Sequence, residues 1–285
     1  METELVELDQ QALLDSPDEY EHMRLAVETL NGLHQVGLTL ITDDADLRGR
    51  NDAVELGLAV RIVKLCEELL RDACAGDSRM QAAIMRMLTE TTAVLLYLVA
   101  DRSGARHDAY VLNSLVAERE SLKTISDERR RSGRHEPSPI EVRLEASIAR
   151  VAAAAGVDPN AIPGRDKIGW PKIERLIESA YGDTAYMSYR IGSDSIHGNW
   201  HDLEWNHLAQ RADGRFVAYM RPIMARPQTL NGATIRAALA LAGYLQHRPG
   251  AVGDSFGPAL AMRGQRAVTL EALHEQWLVR HPDRH

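Results

Sequence analysis

One stretch of the sequence gathers side chains of the types that cleave a phosphodiester. Their successive separations are four, four, three and four residues, and the set comprises Tyr186, Arg190, Asp194, His197 and His201. On a single α-helix this spacing projects all five side chains from one face, with Ser193 at its margin. One helix would thus present a permanent cation, hydroxyl groups, a carboxylate and imidazoles.

These residue types match the needs of RNA cleavage. Arginine binds phosphate oxygens through paired hydrogen bonds and stabilises negative charge that develops on them. Histidine exchanges a proton near neutral pH, so it can deprotonate a 2′-hydroxyl or protonate a leaving oxygen. We therefore predict that His197 is the general acid or base and that Arg190 binds phosphate. Ser193, Asp194 and Tyr186 would form the supporting polar set, with Ser193 or Asp194 orienting the imidazole.

Two other interpretations use the same residues. In a structural one, Arg190 forms a buried ion pair with Glu90 of a neighbouring helix, and His197 bonds a backbone carbonyl or caps the helix near Gly198. In a metal-binding one, His197 and His201 share a metal, and further possible ligands follow at Asp202, Glu204 and His207. Gly198 interrupts that pair and the central glutamate of a zinc protease is missing, so we predict no metal and no cofactor.

The elements that position these residues are helices. One apolar stripe at helical spacing ends before Gly76 and consists of Leu58, Ile62, Leu65 and Leu69. Few segments show the alternation of apolar and polar residues that is typical of a strand. Other predicted helices run from about Asp108 to Arg131, from the capping sequence at Ser138 to Gly156, from Trp170-Pro171 to Gly182, from Asp183 to near Gly198, from Leu230 to Leu245, and briefly after Thr269. A short extended piece is predicted over Arg215–Arg221.

The fold class is therefore predicted as all-α, a multi-helix bundle. We predict a single domain over 1–285, with a core that bears the motif over 55–215 and a C-terminal helical extension over 225–285. Loops are expected around 132–138, 156–169 and 246–265.

Composition narrows the class of protein further. The net charge of −8 disfavours a broad electrostatic surface for nucleic acid, although it permits a small basic pocket. The basic cluster around Arg129–Arg131 and Arg134 is interpreted as a solvated loop. Only two cysteines occur, the strongest apolar run, Ala93–Ala100, is short, and the N-terminus is acidic. We therefore expect a cytoplasmic protein without a membrane span.

The site motif also resembles known sequences. Arg190-x6-His197 is similar to the R-x4-6-H signature of HEPN-superfamily ribonucleases. The longer string from Tyr189 to Trp200 (YRIGSDSIHGNW) resembles an uncharacterised bacterial family with a Y-R-x-x-S-x-x-x-H-G/P pattern. That pattern follows a helix opening with W-P, as at Trp170, and an earlier E-x(several)-Y-L helix, as at Glu90. The resemblance spans about residues 55–215.

The resemblance implies a HEPN-like fold and a metal-independent endoribonuclease. It further implies RNA as the substrate, a homodimer, and a role as a toxin or antiviral defence effector with an antitoxin or defence-system partner. The alternative hypothesis is a non-catalytic helical module that binds a protein partner or a small ligand. Ile191, at a position usually polar in HEPN nucleases, and the negative net charge favour that alternative.

Overall fold

The computed structural model describes residues 7–43, 49–76, 78–183, 185–197, 199–220, 222–246 and 251–282. Its elements are α1 (Gln10–Leu14), α2 (Tyr20–Asp43), α3 (Arg50–Ala75), α4 (Gln81–Val99), α5 (Ala105–Ser114), α6 (Val116–Arg131), α7 (Pro139–Ala154), a 3-10 turn (Pro159–Ala161), α8 (Arg165–Ile168), α9 (Ile173–Tyr181), α10 (Ala185–His197), α11 (Trp200–Asn206), β1 (Leu208–Gln210), β2 (Phe216–Ala218), α12 (Pro227–Leu245) and α13 (Ala251–Arg280). The predicted all-α, multi-helix fold is confirmed. The predicted extended piece contains β2, which pairs antiparallel with β1.

The chain divides into two compact units, one formed by residues 1–48, 55–99 and 173–285 and the other by residues 49–54 and 100–172. Each unit has buried apolar residues of its own. The prediction of one domain over the whole chain stays a prediction.

The larger unit is built around α4 and α12. Helix α12 packs against α2, α4 and α13, and α13 also packs against α2. Large side chains that are fully buried here include Leu88, Leu95 and Leu98 of α4, and Leu230 and Tyr244 of α12. The residues predicted as a C-terminal extension therefore supply part of the core of the unit that carries the candidate site.

Two glycines allow the helices of this core to approach closely. A Cβ atom on Gly37 of α2 would lie 2.7 Å from a methyl carbon of Val63 and 3.4 Å from one of Leu241. A Cβ atom on Gly243 would lie 3.0 Å from Leu96 of α4. A larger residue at Gly37 would push α2 away from α3, and one at Gly243 would push α12 away from α4.

Helix α4 is long and apolar enough, by length and composition alone, to cross a membrane. Half of its apolar window is buried inside the protein, and the buried core helix of a soluble protein passes the same test. Its contacts with α9, α10 and α12 account for its apolar character.

A buried pair of histidines joins the two ends of the chain within this unit. The rings of His22 in α2 and His274 in α13 lie 4.9 Å apart, and both side chains are almost fully buried beside Trp277. His22 Nε2 lies 3.1 Å from the carbonyl oxygen of Leu13, and His274 Nε2 lies 3.1 Å from Glu19 Oε1. Burial lowers the pKa of both imidazoles, and the nearby His274 lowers that of His22 further.

This pair predicts that the protein loses stability in acid. The charged groups acting on it are Glu19, Glu21, Glu275 and Arg226. Because both folded-state pKa values lie below 6.5, the unfolded chain binds protons first as the pH falls through 6.5. We expect the urea concentration at the unfolding midpoint to decrease as the pH is lowered from about 7.5 to about 5. In the double variant His22→Gln/His274→Gln this midpoint should depend less on pH. An identical pH profile in the variant would contradict this assignment.

The smaller unit contains α5, α6, α7 and α8 around a core of Val111, Leu115, Val116 and Ile162. The predicted capping box of α7 is confirmed. Ser138 Oγ accepts from the backbone N–H of Glu141, and the Glu141 carboxylate accepts from that of Ser138. This helix ends at Ala154, next to Gly156 with φ of 69°.

Three predicted boundaries are wrong. The expected helix over 108–131 is two helices separated at Leu115, where the Ser114 hydroxyl donates to the carbonyl of Val111 and competes with the backbone ladder. The expected loop over 156–169 contains a 3-10 turn and α8. The expected loop over 246–265, followed by a short helix, is mostly α13, whose burial against α12 overrides Pro258 and the local glycines.

The interpretation of the basic cluster as a solvated loop is also wrong for its first three residues. Arg129, Arg130 and Arg131 form the last turn of α6, and their partners are Glu145, Asp127 and Glu128. Arg134 pairs with Glu141. Carboxylates thus neutralise these guanidinium groups. The two cysteines, eight positions apart on α3, are free, with Cys66 buried and Cys74 exposed.

Candidate active site

Helix α10 positions the predicted catalytic pair. Gly182, with φ of 81°, ends α9 and lets the chain turn into α10, which ends at His197 next to the predicted stop. The side chains of Arg190 and His197 are both exposed. They stand seven positions apart, two helical turns or about 10 Å along one face.

The structure describes only some of the other predicted site residues. Tyr186 lies on α10, where its side chain is half-buried. Ser193 and Asp194 belong to the same helix, but their side chains lie outside the described part of the chain. The expectation that His201 continues this face is wrong, because α10 ends at His197 and His201 belongs to α11.

An adjacent side of α10, roughly a quarter turn from Arg190 and His197, is fixed to α4 through Tyr189. Tyr189, 6 % exposed, donates a hydrogen bond of 2.6 Å to Glu90 Oε1. The same carboxylate oxygen accepts from Arg86 Nε at 3.1 Å, and the Arg86 guanidinium lies 4.9 Å from the centre of the Tyr189 ring. Glu90 therefore binds Arg86 and Tyr189, whereas the structural interpretation paired it with Arg190.

This network keeps the phenol protonated and turns the next residue outward. Burial, followed by the hydrogen bond to the Glu90 carboxylate, raises the pKa of Tyr189 to about 12. Tyr189 is consequently a hydrogen-bond donor at neutral pH. Because neighbouring residues on a helix point in different directions, anchoring Tyr189 inward leaves Arg190 facing solvent.

The hydroxyl of Tyr189 is expected to stabilise the position of α10. Tyr189→Phe should lower the free energy of unfolding by about 1–2 kcal/mol, because a bond to a partly exposed carboxylate is lost. The matched control is Tyr186→Phe, whose ring stacks on that of Tyr189 at 5.7 Å and whose hydroxyl makes a longer bond of 3.3 Å to Glu174. Urea unfolding of both variants provides the measurement, and equal losses would contradict the assignment.

A second polar cluster lies on α11 and borders a pocket of about 510 Å³. Asp202 is 6 % exposed, accepts from Asn206 Nδ2 at 2.8 Å and lies 3.3 Å from His207 Nε2. Asp72 and Arg79 also line the pocket, as do the apolar Met80 and Ile223. The pocket thus combines a buried carboxylate, an imidazole and a guanidinium with an apolar wall.

Within the described part of the chain, no group of three or more histidine, cysteine or acidic side chains is arranged to hold a metal ion. Asp202 and His207, two members of the predicted metal set, contact each other instead. The side chain of His201 lies outside the described residues.

Sequence spacing located α10 and its outward residues but not their supports. The roles of Arg86 and Tyr189 depend on contacts between helices that are about 100 positions apart in sequence. The sequence did point to Glu90, because its helix carries part of the family resemblance. The Asp202–His207 contact had no such sequence signal, because a separation of five residues suits neither a helix face nor a strand.

Comparison with known proteins places the chain in a protein family. The model of a protein family of unknown function matches residues 52–215, which include Glu90, Trp170 and the whole of α10 and α11. No curated protein and no solved structure matches the chain. The predicted resemblance to an uncharacterised family over about 55–215 is thereby confirmed at the level of the family.

Proposed function

The chain belongs to the DUF5677 family of unknown function, and from this premise we propose that it is a HEPN-like, metal-independent endoribonuclease. The observation that carries the proposal is the joint exposure of Arg190 and His197 on one face of α10. A catalytic pair must be accessible to its substrate, whereas a pair that only holds helices together is buried and bonded.

The proposed reaction needs no group beyond the protein and the RNA. His197 removes the proton of a 2′-hydroxyl, and the resulting oxygen attacks the adjacent phosphorus. Arg190 binds the phosphate oxygens and stabilises the charge that gathers on them in the transition state. The bond to the 5′-oxygen breaks, and that oxygen takes up a proton. The products are a 2′,3′-cyclic phosphate and a 5′-hydroxyl end.

A homodimer belongs to the proposal, because a second copy of α10 would supply the acid for the leaving oxygen. Two exposed apolar residues on α10, Met187 at 69 % and Ile196 at 47 %, support such a contact. By helical geometry Met187 borders the face that carries Arg190 and His197, whereas Ile196, one residue before His197, lies on the side of Tyr189. By analogy with HEPN nucleases, we propose a toxin or antiviral defence effector that acts in the cytoplasm, with an antitoxin or defence-system partner.

The test is cleavage of end-labelled single-stranded RNA by the purified full-length protein. Cleavage is expected to persist with excess chelator and to leave 2′,3′-cyclic phosphate ends, which resist phosphatase until they are opened by acid. Loss of cleavage on chelation would contradict the metal-independent chemistry. Absence of cleavage at every protein concentration would remove the nuclease proposal.

A second candidate function is a non-catalytic module that binds a small ligand. The pocket beside α11 favours it, because a buried carboxylate, Arg79 and His207 around an apolar wall suit a polar ligand with an apolar body. This function predicts that His197→Ala leaves every measurable activity unchanged.

A further inference from the structure

An exposed aromatic pair lies immediately after the proposed catalytic helix. Trp200, the first residue of α11, is 61 % exposed, although tryptophan side chains are mostly buried on average. The ring of Phe216, 41 % exposed, meets it edge-on with a centroid distance of 5.5 Å and an interplanar angle of 85°. This pairing fixes the orientation of the indole while leaving much of it open to solvent.

The surrounding backbone holds the pair in place. Phe216 lies in β2 opposite Gln210 of β1, and the N–H of Tyr219, just after β2, donates to the carbonyl of His207 at 2.8 Å. That bond joins the end of the hairpin to the end of α11. Trp200 therefore stands on a supported surface, which an aromatic platform for stacking requires.

The platform is close to the proposed catalytic residue. Only three residue steps separate Trp200 from His197. A fully extended chain spans at most about 3.6 Å per residue, so the two Cα atoms are no more than about 11 Å apart. A nucleotide whose phosphate contacts Arg190 and His197 would have a flanking base within reach of the indole.

We propose that Trp200, supported by Phe216, stacks an unpaired base beside the scissile phosphate, so that the substrate is single-stranded RNA. The inference deepens the proposed function and rests on it. Base stacking on an aromatic ring tolerates any base but requires it to be unpaired, because a duplex keeps its bases stacked on each other. Trp200 and Phe216 would thus favour single-stranded over duplex RNA without distinguishing between base sequences.

The size of the platform favours a base over a second protein surface. Trp200 and Phe216 together expose at most about 250 Å², from their exposed fractions and the usual areas of these side chains. A stable protein interface buries about 800 Å² on each partner. Two rings match the area of one or two nucleobases.

The experiment measures RNA binding by fluorescence anisotropy in full-length protein carrying His197→Ala, so that no substrate is cleaved. A labelled 12-nucleotide single strand and the same strand annealed to its complement are compared at one salt concentration. Adding Trp200→Ala should raise the Kd for the single strand about tenfold, the effect of losing one base stack. Trp200→Phe should largely restore binding. Leu203→Ala, at an exposed apolar residue of the same helix, should leave it unchanged.

Several outcomes would overturn the inference. An unchanged Kd for Trp200→Ala, equal losses for single-stranded and duplex RNA, or no RNA binding by the parent would each do so. A change in the molar mass measured by light scattering, with an unchanged Kd, would assign the surface to a protein interface instead. RNA binding that depends on Trp200 in a wild-type protein that cleaves nothing would leave the platform intact and remove only the nuclease proposal.

Discussion

Replacement of His197 by alanine is expected to lower the rate of RNA cleavage by a factor of about 10²–10⁴, the usual contribution of a general acid or base. The melting temperature should change by little, because the imidazole is exposed and its removal leaves no cavity. The rate is measured with labelled single-stranded RNA under single-turnover conditions, and stability by thermal unfolding of the same preparations.

The matched control is His135→Ala, which removes an exposed histidine from the smaller unit. Its cleavage rate and melting temperature should equal those of the wild type. Arg190→Ala should behave as His197→Ala does, whereas Arg190→Lys should recover only part of the rate, because lysine cannot form the paired hydrogen bonds of a guanidinium with phosphate. A fall of many degrees in the melting temperature of both alanine variants, with cleavage intact, would assign the residues to packing.

The sequence predicted those parts of the site that depend on one helix. Spacing along α10 placed Arg190 and His197 on a common face, and the end of the helix near Gly198 followed from local chemistry. The anchor of that helix could not be predicted in the same way, because Tyr189, Glu90 and Arg86 meet only after α4 and α10 pack together. Contacts between distant segments leave no fixed spacing for a sequence argument to use.

The same distinction separates the successes from the errors in the fold. The Ser138 cap and the glycine at 156 act within a few residues of the helix they bound, and both were predicted correctly. The length of α13 depends on burial against α12, which overrides local preference. The division at Leu115 has a local cause, the Ser114 hydroxyl, which the spacing of apolar residues does not reveal. Prediction was thus accurate where a cap or a glycine bounds a helix, and wrong where packing or a competing side-chain hydrogen bond decides.

The C-terminal helices are expected to be essential to the unit that carries the candidate site, although the family match ends at residue 215. Leu241 of α12 is 1 % exposed and lies next to Gly37 of α2, with its methyl carbon 3.4 Å from where a Cβ on that glycine would be. Leu241→Ala should therefore lower the free energy of unfolding by about 3–5 kcal/mol, since a cavity in such a close contact cannot collapse easily. Urea unfolding followed by circular dichroism gives the measurement.

Leu239→Ala is the control, because Leu239 lies on the same helix two positions earlier and is 47 % exposed. It removes the same atoms from the chain and should change the free energy of unfolding by no more than about 0.5 kcal/mol. Since α12 packs directly on α4, and α4 holds Tyr189 through Glu90, Leu241→Ala should also reduce RNA cleavage as the temperature approaches its lowered melting point. Equal stability in the two variants would mean that α12 is an appendage and that residues up to 215 maintain the site alone.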